Sequence, residues 1–217
     1  MKKNYFQLLL ITALICTYSL SFCQSKEIKI KFIGNCGLYL TDGNANLYID
    51  FPYKSGAHNY MEYDKSEIDS VKKENATFIF THKHADHYSK SLLNKMKGNK
   101  YGPWNIEEIK NIEKSLTNFT IESFKTEHKV FGISFEHYSY LIAWHNKRIF
   151  ISGDTENVDT VAKITKMDWL FAPVWLLTDA KDKNIKLDTE KIGLYHIGQK
   201  DQITTSNPKI QLLNKSG

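Results

Sequence analysis

Alternating apolar and polar residues mark the start of the folded chain. Residues 27–33, EIKIKFI, alternate with a period of two, which predicts a half-buried strand. Residues 38–41 and 47–50 flank an Asp-Gly turn and predict a hairpin, because glycine adopts the positive φ that tight turns need. A loop is expected from there to about residue 66. Residues 76–80, ATFIF, are apolar without alternation, as in a strand buried on both faces.

Helical spacing and further strands follow in the second half of the sequence. Residues 91–97 and 105–116 repeat apolar positions at helical intervals and predict two helices. Later elements are predicted as strands at 119–124, 133–137, 140–144, 148–152 and 169–171, a helix at 158–164 and a helix ahead of 194–198. Because strand, helix and strand recur, we expect a second layer built like the first.

The first 23 residues differ from the rest of the sequence. Lys2 and Lys3 precede the apolar run 6–16, and small and polar residues then lead to Cys23, a pattern typical of a secretory signal peptide. The run is shorter than the roughly 20 apolar residues of a membrane span. We therefore expect an exported protein, periplasmic or secreted, with residues 24–217 as a single domain. Lipid attachment at Cys23 is the alternative to cleavage after it, and the one expected link to a membrane.

Composition and charge narrow the function. A hydrophobic content of 41% is that of a globular protein. Lys and Arg number 29 against 24 Asp and Glu, and the basic residues are scattered, so no nucleic-acid partner is expected. A small-molecule substrate is expected, and the oligomeric state is not indicated. Cys36 is the single cysteine of the predicted mature chain, so no internal disulfide is expected; its predicted role is that of a small buried hydrophobe.

A dense group of histidines comes directly after the predicted strand at 76–80. His82, His84, Asp86 and His87 place three imidazoles and a carboxylate within six positions. These groups suit zinc, which they bind at about 2.0 to 2.2 Å. A loop leaving a strand can turn alternate side chains inward, so His82 and His84 are predicted to share one metal and Asp86 and His87 to face a second. A solvated loop without ligands and an adventitious metal patch are the alternatives.

The segment His82-Lys83-His84-Ala85-Asp86-His87 matches the HxHxDH signature of the metallo-β-lactamase superfamily, which the chain resembles over residues 28–198. Gly153-Asp154 after a predicted strand and His196 near the carboxyl end fit the same pattern. The resemblance implies an α+β or α/β fold, a four-layered αβ/βα sandwich. Within the superfamily, the short chain favours a compact relative of the ascorbate-6-phosphate lactonase group.

The resemblance also implies the ligands and the chemistry. The implied metal ligands are His82, His84 and His128 for one ion, Asp86, His87 and His196 for the other, and Asp154 bridging both. His137 is the alternative to His128, His145 is predicted in a surface turn, and His58 in a loop that could line the pocket. Two zinc ions are expected, with manganese or iron as alternatives.

The implied activity is hydrolysis of a small ester, lactone or phosphoester by a zinc-bound hydroxide, with Asp86 and Asp154 as catalytic residues. A β-lactamase is a less favoured reading, because true β-lactamases usually lack an aspartate at the position of Asp154. A di-iron oxidoreductase and a non-catalytic metal-binding module are the alternatives from other classes.

Overall fold

The computed structural model describes residues 27–72 and 75–215. The predicted signal peptide at residues 1–23 lies outside this range and stays a prediction. The strands are β1 (Lys29–Gly34), β2 (Gly37–Thr41), β3 (Asn46–Ile49), β4 (Asn75–Ile79), β5 (Lys97–Tyr101), β6 (Phe119–Thr126), β7 (Lys129–Val130), β8 (Ile133–Ser134), β9 (His137–Trp144), β10 (Lys147–Ile151), β11 (Met167–Pro173), β12 (Thr189–Tyr195) and β13 (Ile210–Leu212). The α-helices are α1 (Lys65–Val71), α2 (Lys90–Leu93), α3 (Ile112–Ser115), α4 (Val158–Ala162) and α5 (Val174–Asp182), with 3₁₀ segments at Ala57–Asn59 and Pro103–Asn111.

Two mixed sheets carry most of these strands. The first has the order β1-β2-β3-β4-β5, antiparallel up to β3 and parallel from β3 to β5. The second has the order β13-β12-β11-β10-β9-β6, in which the neighbours from β10 to β13 are parallel. Parallel strands place their carboxyl ends at the same edge of a sheet, so the loops after them meet there.

Three clusters of buried side chains divide the molecule into four layers. The inner cluster joins the two sheets and includes Leu38 of β2 and Ile142 of β9, both fully buried. On the outer face of the first sheet, Phe78 of β4 packs with α1 and α2. On the outer face of the second, Phe150 of β10 packs with α4 and α5. The four-layered αβ/βα sandwich implied by the resemblance is therefore confirmed.

Several predicted elements are wrong in detail. The loop expected to run to about residue 66 ends where α1 begins, at Lys65, but α1 itself was not predicted; Asp64 caps it by accepting a hydrogen bond from the Ser66 backbone N–H. The helix expected at 91–97 ends at Leu93, and β5 follows at the edge of the first sheet. Backbone hydrogen bonds to β4 hold this edge strand in place. Such pairing does not require alternating apolar side chains, and the strand has none.

Two further predictions differ near the carboxyl end and at the β9–β10 turn. The residues before His196 form β12 rather than the expected helix, because they pair with β11 and β13. His145 lies in a turn, as expected, but it is buried rather than exposed, and its Nε2 lies 2.9 Å from Asp42 Oδ2. Within residues 27–72 and 75–215, no helix has the length and apolar character needed to cross a membrane.

Candidate metal centre

The loops after four strands bring the predicted site residues to one edge of the sandwich. The HxHxDH segment follows β4, and His128, Asp154 and His196 follow β6, β10 and β12. Six of the seven predicted ligands are buried, and His84 is partly buried. The structure therefore gathers all seven, although they span more than half of the sequence.

His82, His84 and His128, here called the trihistidine set, offer ring nitrogens that all lie within 4.8 Å of one another. His128 Nε2 is 3.2 Å from His84 Nδ1. Because the Thr81 hydroxyl donates to Asp50 Oδ2, Thr81 Oγ1 accepts the Nδ1–H of His82 at 3.0 Å, which leaves the His82 Nε2 lone pair facing the other two rings. Burial lowers the pKa of His82 well below its usual value, so this imidazole is neutral near pH 7.

Asp86, His87 and His196, here called the mixed set, lie beside the first. His196 Nε2 is 3.1 Å from Asp86 Oδ2, and His87 Nε2 is 3.6 Å from the same oxygen. Burial opposes the charge of His196, but the carboxylates of Asp154 and Asp86 outweigh it and raise its pKa to about 9. In the absence of metal, His196 is thus a cation at neutral pH.

Asp154 lies between the two sets. Its Oδ1 is 3.1 Å from His87 Nε2, and its Oδ2 is 3.1 Å from His196 Nε2 and 3.9 Å from His82 Nε2. Burial alone would raise the pKa of Asp154, but His196 and His87 hold it well below its usual range. The carboxylate is therefore ionised and reaches both sets, as a bridging ligand must.

His137, the alternative third histidine, has both ring nitrogens engaged. Its Nε2 accepts the backbone N–H of Asp154 at 2.9 Å, and its Nδ1 lies 2.7 Å from Thr126 Oγ1. Gly153 permits this contact, because it has φ +60° and a Cβ there would lie 2.3 Å from His137 Nε2. Of the two candidates, His128 has a ring nitrogen beside His84 in the trihistidine set, whereas His137 accepts a hydrogen bond from Asp154 and positions it.

Solved structures resemble this architecture, although no protein-family model matches the sequence and no curated protein matches it. A protein from Parabacteroides distasonis, proposed to be a metal-dependent hydrolase, is 19% identical over 80% of this chain and 84% of its own, with a TM-score of 0.59. Igni18, a metallo hydrolase from Ignicoccus hospitalis, is 14% identical over 78% and 82%, with a TM-score of 0.59.

A third structure decides the fold. YhfI from Bacillus subtilis, a metallo-β-lactamase fold protein, is 16% identical over 78% of this chain and 86% of its own, with a TM-score of 0.52. The chain has the metallo-β-lactamase fold. The resemblance seen in the sequence is thus confirmed at the level of the fold.

One buried carboxylate with a clear role in this metallo-β-lactamase fold was assigned none from the sequence. Asp50, at the end of β3, is fully buried; its Oδ1 accepts the backbone N–H of Thr81 at 2.8 Å. Its Oδ2 accepts the Thr81 hydroxyl at 2.8 Å and lies 3.0 Å from His87 Nδ1. Asp50 thereby fixes which nitrogen of His87 carries the proton. An aspartate directly after the apolar strand LYI was the available signal.

A cavity of about 540 Å³ opens over the two sets. Tyr60 and Trp175 line it, and their rings lie edge-on to the His196 ring at centroid distances of 4.0 and 5.0 Å. His58 also lines the cavity, as its predicted loop position allowed.

The polar atoms of this site fit a pair of metal ions. Several buried atoms make no hydrogen bond of good geometry with any described residue: His82 Nε2, His87 Nε2, His128 Nδ1, Asp154 Oδ1 and both nitrogens of His196. Leaving such a group unpaired costs roughly 1–3 kcal/mol. Imidazole nitrogens and a carboxylate are the donors that zinc prefers, so cations at the two sets would satisfy most of these atoms at once.

Proposed function

We propose that this chain is a metal-dependent hydrolase that binds two zinc ions, one at the trihistidine set and one at the mixed set. The observation that supports it most is the convergence of buried histidine nitrogens on the ionised carboxylate of Asp154. The fold-level likeness to proteins described as metallo hydrolases agrees with this chemistry.

The side chains divide the work of such a site. When bound, the two ions supply Lewis acidity that polarises a substrate oxygen and activates water. Asp154 offsets the positive charge at both sets and holds their side chains at a fixed separation. Asp86 lies in the cavity wall, where Oδ1 is 4.0 Å from the exposed His58 Nε2. Although burial opposes it, His196 and His87 lower the pKa of Asp86, so this carboxylate is ionised and can orient a water molecule by accepting its hydrogen bond.

The cavity supports a small substrate. Its volume of about 540 Å³ lies within the roughly 300–1,000 Å³ of typical small-molecule pockets. The aromatic rings of Tyr60 and Trp175 offer flat apolar surface beside the metal sets. We therefore propose a small ester, lactone or phosphoester as substrate, with a β-lactam as the alternative within the same chemistry.

Export is proposed from the sequence alone. The basic start, the apolar run 6–16 and the small residues before Cys23 support cleavage of a signal peptide and a periplasmic or secreted product. The mass of the protein recovered from its producing cell, together with its distribution between soluble and membrane fractions, would separate cleavage after Cys23 from lipid attachment to it.

The first experiment measures metal and activity together. Protein purified without chelator is assayed for metal content and tested on p-nitrophenyl esters, lactones, phosphodiesters and nitrocefin. Variants His84→Ala and Asp154→Ala are tested alongside. We expect about two zinc ions per chain and one hydrolysed substrate class. Both variants should lose more activity than the roughly 10–100-fold typical of outer-shell partners, because each removes a group that would contact metal.

The outcomes separate the candidate functions. Turnover of nitrocefin alone would make the protein a β-lactamase. Iron without hydrolysis of any substrate would contradict the hydrolase, and two zinc ions without activity would favour a metal-binding module. Lys183→Ala, on an exposed face of the second sheet's helices, serves as the control whose metal content and activity should match the parent protein.

A further inference from the structure

The turn between β1 and β2 is buried inside the candidate metal centre. Hairpin turns normally lie at the surface, where water satisfies their backbone. Here the two turn residues, Asn35 and Cys36, are each 1% exposed. Asn35 Nδ2 donates to the backbone oxygen of Asp86 at 2.9 Å, and the backbone N–H of His196 donates to the backbone oxygen of Asn35 at 3.2 Å. The turn is therefore fixed between the two loops that carry the mixed set.

Cys36 consequently faces the same point as the mixed set. Its Sγ, a nitrogen of His87, a nitrogen of His196 and an oxygen of Asp154 all lie within 4.8 Å of one another. His87 Nε2 and His196 Nε2 are buried, lie beside the carboxylates of Asp154 and Asp86, and make no hydrogen bond of good geometry in the described part of the chain. Those two nitrogens are an observation independent of the cysteine, and they indicate that a ligand belongs at this point.

We propose that Cys36 binds the metal of the mixed set as a thiolate, which adds a sulfur ligand to the nitrogen and oxygen donors. The assignment depends on the metal centre proposed above. On binding, a metal–sulfur bond forms and the thiol proton leaves to solvent, as is general for cysteine ligands. Soft thiolate ligands favour zinc over manganese, so Cys36 makes the mixed set selective for zinc.

The ordinary role of a buried cysteine is packing, and that role predicts a different spectrum. A packing cysteine contributes no sulfur to the metal shell, whereas a ligand places sulfur at about 2.3 Å from zinc, beyond the nitrogen ligands at about 2.0 to 2.1 Å. X-ray absorption at the zinc edge resolves these shells. It reads the metal environment directly and does not depend on activity.

The experiment uses the full chain loaded with zinc. With both sets filled, we expect a sulfur shell that averages half a sulfur per zinc. In protein loaded with cobalt, a thiolate-to-cobalt charge-transfer band should appear in the near ultraviolet. A double variant, Cys16→Ser with Cys23→Ser, leaves Cys36 as the single cysteine and should keep both signals.

Cys36→Ser should remove the sulfur shell and the cobalt band. It should also lower zinc affinity at the mixed set by more than the roughly 10–100-fold seen for outer-shell partners, with a smaller loss for manganese. Two bound zinc ions without a sulfur shell would overturn the role of Cys36 and leave the hydrolase proposal standing. Absence of bound zinc would overturn both. Because the parent protein's spectrum decides the question, failure of the variant to fold would not obscure the result.

Discussion

The two halves of the candidate metal centre are built on different electrostatics. The trihistidine set consists of imidazoles alone, and burial lowers the pKa values of His82 and His84. The mixed set holds the carboxylate of Asp86, and its histidines have raised pKa values despite their burial. His82 and His84 therefore offer neutral lone pairs at physiological pH, whereas His87 and His196 offer nitrogens that must first lose a proton.

The carboxylates that contact the histidines of the two sets also differ in their burial. His87 rests on Asp50, which is fully buried and lies 3.0 Å from its Nδ1. His128 Nδ1 faces Glu156, whose side chain is 46% exposed and lies 3.5 Å away. Buried partners hold a ligand in one tautomer, whereas exposed partners compete with water. The side chains of the mixed set are thus held more rigidly, and their metal affinity should depend more strongly on pH.

Acidification should separate the two sets by the largest factor. The pKa of His196 is raised to about 9, so its ring is protonated below that pH and must release the proton to bind metal. Affinity at the mixed set should fall about tenfold per pH unit for this proton, or roughly 100-fold between pH 8 and pH 6. His82, with its lowered pKa, meets no such competition in that range.

Zinc titrations against a competing chelator at pH 6, 7 and 8 measure this difference. We expect the second equivalent of zinc to leave as the pH falls while the first remains bound. Parallel loss of both equivalents would show that the contrast between the sets does not control metal binding.

The trihistidine set was the easier half to predict from sequence. His82 and His84 follow a visible strand, and alternate residues leaving a strand face the same way, so spacing alone places them together. The third histidine was harder, since His128 and His137 both lie beside β-strands. The choice depends on which ring nitrogens find hydrogen-bond partners in the folded chain. The hydroxyl of Thr126, which contacts His137 Nδ1, can be identified only from the structure.

The mixed set depends on contacts that no local pattern records. From the sequence, Cys36 is expected to be a small buried hydrophobic residue. Its position beside His87 results from the turn that Asn35 anchors to Asp86. The four-layered sandwich was implied by the resemblance, whereas periodicity indicated only individual strands and helices. Edge strand β5 and β12 were missed because strand pairing, and not side-chain alternation, holds them in place.

Removing the charge of Asp50 should produce the next largest effect, confined to the mixed set. In Asp50→Asn, the side-chain oxygen can still accept the backbone N–H of Thr81. The new NH₂ group then takes the place of Oδ2 and faces His87 Nδ1. That ring must then accept at Nδ1 and carry its proton on Nε2, the nitrogen that would bind metal. Zinc affinity at the mixed set should fall roughly 10–100-fold.

Asp42→Asn provides a matched control for this change. Asp42 also pairs with a buried histidine, because its Oδ2 lies 2.9 Å from His145 Nε2, but it sits at the opposite end of β2 from Cys36. The same loss of charge there should leave both zinc affinities unchanged. Equal losses in the two variants would mean that global stability, and not the tautomer of His87, governs metal binding.

Glu156→Gln should produce the smallest effect, confined to the trihistidine set. The pairing of Glu156 with His128 is partly exposed, and such pairs contribute roughly 0.2–1 kcal/mol, which corresponds to a loss of zinc affinity below about fivefold. Glu127→Gln removes a neighbouring exposed carboxylate that contacts Lys129 and is the matched control. The measurement is the same chelator competition at pH 8. A loss near 100-fold for Glu156→Gln alone would show that Glu156 fixes His128 as firmly as Asp50 fixes His87, so exposure would not be what distinguishes the two sets.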